Sequence, residues 1–151
     1  MDTKQISVIG SGSEWEKQAE EVGRLLAGRG CTVVTGGGAE VMAAAARGAK
    51  QAGGKTIGIL PGELPDEANE WIDFAVATGS GHARNLAVAA SGEAVIAVGG
   101  SWGTLSEIAF ARRLGRPVVL LAGGVAVKGE GFLRAATAEE AVELALSALE
   151  A

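Results

Sequence analysis

The chain is poor in the residues that most often build metal centres and disulfide scaffolds. It has one cysteine, one histidine and three prolines, no tyrosine, and only 4% aromatic residues. The single cysteine, Cys31, excludes an internal disulfide framework. One cysteine with one histidine, His82, cannot supply an ordinary structural zinc site. Any metal would therefore arrive with a bound cofactor. There is no run of basic residues and the net charge is −5. That argues against electrostatically driven binding to nucleic acid or to an anionic membrane. No apolar stretch reaches the ~18 residues that span a bilayer. The N-terminus, MDTKQISVIG, enters a strand at once and lacks the charged start and long apolar core of a signal peptide. A cytoplasmic location is the expectation.

Hydrophobic residues make up 48% of the 151 residues and charged residues 21%, the balance of one ordinary globular domain over residues 1–151. Glycine is the surplus: 24 residues, against the ~7% of average usage. With no Gly-X-Y period, collagen is excluded. The glycines gather between apolar runs, which marks loops where the backbone must approach something closely.

Short β-rich runs alternate with amphipathic stretches. Strands are predicted at 6–9, 31–35, 55–60, 71–77, 94–98 and 117–121, with a short one near 132–135. Helices are predicted at 14–28, 39–52, 81–91, 104–114 and 138–150. Three helix starts carry a capping-box pattern: Ser13-x-x-Glu16, Thr104-x-x-Glu107 and Thr137-x-x-Glu140. The alternation demands parallel strands joined by crossovers, and the nearly continuous apolar strands imply burial on both faces. The expected fold is α/β, a three-layer, doubly wound, mostly parallel sheet of Rossmann-like type with helices on both faces.

Ligands of such sheets sit beyond the carboxyl ends of the strands, near the switch in strand order. Four glycine clusters fall at such ends, each before a predicted helix. They are Gly10-Ser11-Gly12, Gly36-Gly37-Gly38, Gly79-Ser80-Gly81 and Gly99-Gly100-Ser101-Trp102-Gly103-Thr104. A glycine loop feeding a helix start offers free N–H groups and a positive dipole end, so a phosphate or other anion is the leading ligand. Known fingerprints fail. Trp15 stands where a dinucleotide fold needs its third glycine, strand two ends in Thr35-Gly36 with no acid for a ribose, and neither a P-loop nor a nucleophile elbow occurs. Arg84, in the first turn of the third helix, opposes the helix dipole; it either meets an anionic ligand or is solvated or ion-paired. Glu107, in the expected first turn of the fourth helix, reads from spacing as a capping residue. His82 could donate to a ligand or satisfy a loop carbonyl. Trp102 could stack on a base or pterin, or pack on another subunit.

The stretch Gly99–Glu107 (GGSWGTLSE) resembles the PGGxGTxxE signature of the LOG, or "lysine decarboxylase-like", nucleotide-binding family. Thr78–Asn85 (TGSGHARN) sits where that family carries MxxRK, and Gly36-Gly37-Gly38 with Met42 resembles its GGGxxxxM loop. In order and spacing the resemblance covers most of residues 6–121. It implies removal of the base from nucleoside 5′-monophosphates, with Arg84 and Glu107 as the catalytic pair and Gly100, Gly103 and Thr104 cradling phosphate. Nothing in the chain supplies a pyridoxal lysine site. Asn85 replaces the family lysine, Gly99-Gly100-Ser101 replaces PGG, and the tail is compact. In these features and in its GHARN and GTLSE wording the chain is closer to the short molybdenum cofactor carrier protein-like branch. That branch implies binding of a phosphorylated pterin without turnover.

Two function classes follow: a carrier-like binder of a molybdopterin-type cofactor or nucleoside monophosphate, and a phosphoribohydrolase. No cofactor is required by either. The resemblance also implies a homodimer or homotetramer.

Overall fold

The computed structural model describes residues 2–121, 125 and 127–150. Within them lie seven strands: β1 (Gln5–Ser11), β2 (Thr32–Thr35), β3 (Thr56–Leu60), β4 (Phe74–Ala77), β5 (Ala94–Gly99), β6 (Val118–Leu121) and β7 (Leu133–Ala135). The five helices are α1 (Glu16–Gly28), α2 (Val41–Gln51), α3 (Arg84–Ser91), α4 (Trp102–Arg113) and α5 (Ala138–Glu150). The strands form one sheet in the order β4-β3-β2-β1-β5-β6-β7, every neighbouring pair parallel. This is the expected three-layer α/β fold.

Alternation along the strands builds the two cores. Ile6 and Val8 of β1 point into the layer of α1, α2 and α5, with Val33, Ile96 and Val119. Ile9 points the other way, with Val34, Val95 and Val118, under α3 and α4. The Ala-rich α2 packs within the chain: Ala44, Ala45, Ala46 and Ala49 are all buried. Its contact with α1 is backbone against backbone. A Cβ on Gly23 would lie 1.9 Å from the Ala45 carbonyl oxygen, and one on Gly48 would lie 1.9 Å from that of Glu20. An Arg47–Glu20 ion pair at 2.7 Å lies across the same two helices.

Several sequence expectations shift. Strand four begins at Phe74 rather than 71, and it is not buried on both faces, since Phe74 and Val76 are exposed. They stand in register with Ile57 and Ile59, which pack under α3. The β3–β4 connection carries only a 3-10 turn (Pro65–Glu67) in place of a crossover α-helix, so this face of the edge strand is left bare. Two expected helix starts tighten into 3-10 turns, Ser13–Trp15 before α1 and Gly81–Ala83 before α3. The box at Ser13 does not form, as the α1 start has no side-chain cap. Half of the box at Thr137 forms: its hydroxyl accepts the Glu140 N–H at 3.2 Å, while the Glu140 carboxylate takes the N–H of Ala136, one residue before the cap, at 3.1 Å.

The chain lays β1 to β4 down in one direction, then returns to place β5 on the other side of β1. Strand order therefore switches between β1 and β5, where Ser11 and Gly99 are register partners. That is the crevice where such sheets bind ligands.

Candidate functional site

A cleft opens at this switch point. Gly10 and Ser11 from the end of β1, Gly36 after β2, His82, Arg84 and Asn85 at the start of α3, and Ser101, Gly103, Thr104 and Glu107 at the start of α4 all line it. Val8, Ile9 and Met42 complete its floor. Its open volume is about 160 Å³, below the roughly 300–1,000 Å³ of pockets that enclose a whole drug-sized ligand. It has room for one group of a ligand, such as a sugar phosphate.

Arg84 is half-buried, and the four ion pairs among the described residues do not include it. Its Nε donates to the Ile59 carbonyl at 2.9 Å, one terminal nitrogen donates to the Gly36 carbonyl at 3.5 Å, and the other donates to the Asn85 side-chain oxygen. These bonds fix the guanidinium without neutralising it. Gly36 makes room, since a Cβ there would lie 2.7 Å from an Arg84 terminal nitrogen and 2.8 Å from the Met42 sulfur. Asn85, where the family motif has lysine, is buried. Its amide nitrogen donates to the Ser106 hydroxyl at 3.1 Å, and that hydroxyl donates to the Gly103 carbonyl at 2.6 Å. The starts of α3 and α4 are thereby tied into one frame.

Glu107 is not a capping residue. Helix α4 begins at Trp102, two residues before the expected start. Its capping box pairs Ser101 with Thr104, whose hydroxyl accepts the Ser101 N–H at 3.3 Å. This places Glu107 in the second turn, facing the cleft and only 8% exposed. Burial drives its pKa up to about 7, although the Arg84 charge pulls it down. A carboxyl group that titrates near neutrality in a cleft is equipped to give or take a proton. The cleft thus combines one fixed cation, the amino end of α4 and an acid that can become neutral. That combination is chemically suited to an anion.

The remaining predicted residues lie around the cleft without lining it. Gly12 gives its N–H to the Glu40 carboxylate at 2.7 Å, and Gly37 gives its own to the Thr35 hydroxyl at 3.0 Å. Gly38 receives the Asn69 amide at 2.8 Å, and Gly79 donates to the Gly62 carbonyl at 2.9 Å. Gly99 and Gly100 shape the turn into α4, both with positive φ. Trp102 is 86% exposed beside the mouth. Sequence reasoning missed Ser106 and Glu40. Ser106 sits one residue before Glu107 and looks like an ordinary helix serine. Glu40 is an unspecified position inside the Gly36–Met42 motif block.

The family model of the SLOG cluster4 family matches residues 3–148. The chain belongs to the SLOG cluster4 family. It is a member of the LOG-like Rossmann superfamily, on the side of the molybdenum cofactor carrier proteins. The chain is similar to an uncharacterised protein of Archaeoglobus fulgidus, 42% identical over 97% of both chains. The solved molybdenum cofactor binding protein of Rippkaea orientalis superposes with a TM-score of 0.92, at 35% identity and 99% coverage of each chain. A cytokinin riboside 5′-monophosphate phosphoribohydrolase of Mycobacterium tuberculosis is 37% identical over 60% of this SLOG chain and 50% of the enzyme.

Proposed function

We propose that this protein binds a phosphorylated, nucleotide-like ligand in the cytoplasm, in the manner of a carrier. The ligand is a molybdopterin-type cofactor or a nucleoside monophosphate. The phosphate sits between Arg84 and the amino end of α4, and the ring system lies outside the cleft over Trp102. The observation that carries this reading is Arg84: half-buried, held by carbonyls and an amide, and left with a charge that no carboxylate of the described residues pairs. The likeness to the Rippkaea protein supports the pterin ligand. A pterin's phosphate fits the donor set. No group of three potential metal ligands occurs among the described residues, so a metal would be cargo held by the pterin itself.

A second reading rests on Glu107. A buried acid titrating near 7 opposite Arg84 suits cleavage of the N-glycosidic bond of an AMP-like nucleotide. In that reaction water oxygen bonds to the ribose C1′ as the bond from ribose to base breaks; the electron pair leaves with the base, which gains the proton that the water gives up. Glu107 engages the ribose or the attacking water as oxocarbenium character develops, and Arg84 holds the phosphoribosyl group.

One experiment separates the two. The protein and its Glu107→Gln variant are incubated with AMP and other nucleoside 5′-monophosphates, and free base is followed by chromatography. Base release that vanishes in the variant establishes the hydrolase. No release, with monophosphates or molybdopterin still raising the melting temperature, establishes the binder.

The assembly proposed with it is a homodimer or homotetramer. Leu86 of α3 and Phe110 and Leu114 of α4 are exposed, as are Phe74 and Val76 of the edge strand. They lie on the α3/α4 side of the sheet, the natural face for a second copy to cover.

A further inference from the structure

The first glycine loop differs from the fourth in charge. Both leave the sheet from register partners, Ser11 and Gly99, on adjacent strands about 5 Å apart. A phosphate seated at one loop is thus next to the other. Residues 94–106, which form the fourth loop and its flanks, contain no acid. The first loop is met by two. The Glu40 carboxylate accepts the Gly12 N–H at 2.7 Å. A Cβ on Gly12 would lie 3.0 Å from a Glu14 carboxylate oxygen, so that group is also packed against the loop.

The backbone at Glu40 is unusual as well. It is the one non-glycine residue with positive φ among the described residues, at φ 55°, ψ −121°. This conformation is costly to a residue with a side chain and persists only where the surroundings hold it. Glycine would adopt it freely. What the chain obtains from glutamate here is an internal anion on the donor that a second phosphate would otherwise use.

We propose that Glu40 is a specificity-determining residue that closes the first glycine loop to anions and limits the cleft to a single phosphate group. The proposal rests on the phosphate reading of the same cleft. A monophosphate reaches Arg84 and the start of α4 without meeting Glu40. A diphosphate places its second group against the Glu40 and Glu14 carboxylates, where like charges repel.

The test titrates AMP, ADP and inorganic pyrophosphate into the wild type, Glu40→Gln and Glu40→Gly. The glutamine variant removes the charge and keeps the side chain; the glycine variant removes both and relaxes the backbone. The wild type is expected to bind AMP at least tenfold more tightly than ADP. Both variants should narrow that ratio about tenfold by gaining ADP affinity, and both should gain pyrophosphate affinity to a similar degree. An unchanged ratio with no gain for pyrophosphate overturns the role of Glu40. So does a loss of AMP binding in both variants, which would make Glu40 a direct ligand contact. The pyrophosphate arm separates this inference from the reading beneath it. A wild type that binds neither a nucleoside monophosphate nor molybdopterin defeats that reading, while a pyrophosphate gain in the variants still upholds the closed loop.

Discussion

Arg84 and Glu107 face the same cleft and govern its charge in opposite ways. Arg84→Ala should weaken binding of a phosphate ligand by roughly 1.5–3 kcal/mol, the range for a charge-assisted hydrogen bond. Calorimetric titration with AMP checks this, and an unchanged affinity removes Arg84 from the site. Glu107 carries a pH signature. Its folded pKa is about 7 against an ordinary 4.5, so between those values the folded chain holds a proton that the unfolded chain has lost. Stability is then full below about pH 4.5, falls as pH rises through the window, and has lost roughly 3 kcal/mol above about 7, at ~1.4 kcal/mol per pKa unit. Glu107→Gln should abolish this slope. The variant should melt near the wild type at pH 5 and clearly above it at pH 8. Equal melting curves at both values would show that the carboxyl is not held neutral.

At the level of elements, strand and helix order was legible because apolar runs and amphipathic periods differ so plainly in this chain. Helix starts were the weak point, and the weakness had a physical cause. The pattern Thr104-x-x-Glu107 and the pattern Ser101-x-x-Thr104 compete for one helix start. The glycine at 103 suggested that the chain was still in a loop, yet Trp102 and Gly103 are helical. Moving the start by two residues carried Glu107 from the cap into the cleft. The family resemblance had pointed to Glu107 as chemical where spacing alone pointed to a cap. Neither periodicity nor motif spacing marked Glu40, because its role depends on α2 lying beside the β1 loop in space. The cap itself is testable. Ser101→Ala should cost about 1 kcal/mol of stability, read as a lower melting temperature. No change would mean that the start of α4 is held by the frame of Asn85 and Ser106 instead.

For the whole molecule, the two faces of the sheet are finished differently. On one side α1, α2 and α5 cover a core that leaves little apolar surface. On the other, the short α3, α4 and the bare edge strand leave Phe74, Val76, Leu86, Phe110 and Leu114 in solvent. Phe110→Glu should shift the molecule towards a monomer in size-exclusion chromatography with light scattering, with its melting curve measured alongside. An unaltered mass would count against the proposed subunit contact on this face. Among the described residues no helix is long and apolar enough to cross a bilayer.

The backbone contact between α1 and α2 has a mechanical consequence. Gly23 and Gly48 each admit a carbonyl of the other helix where any side chain would block it, so the two helices engage like two pins in two facing notches. Neither can slide or roll without losing the fit. The loops that lead into these helices carry Gly12 and Glu40, so the spacing of that pair is set by the notches some distance away. A side chain at position 48 would force the helices apart and disengage the pins. It would thereby move the Glu40 carboxylate beside the first glycine loop without touching the cleft.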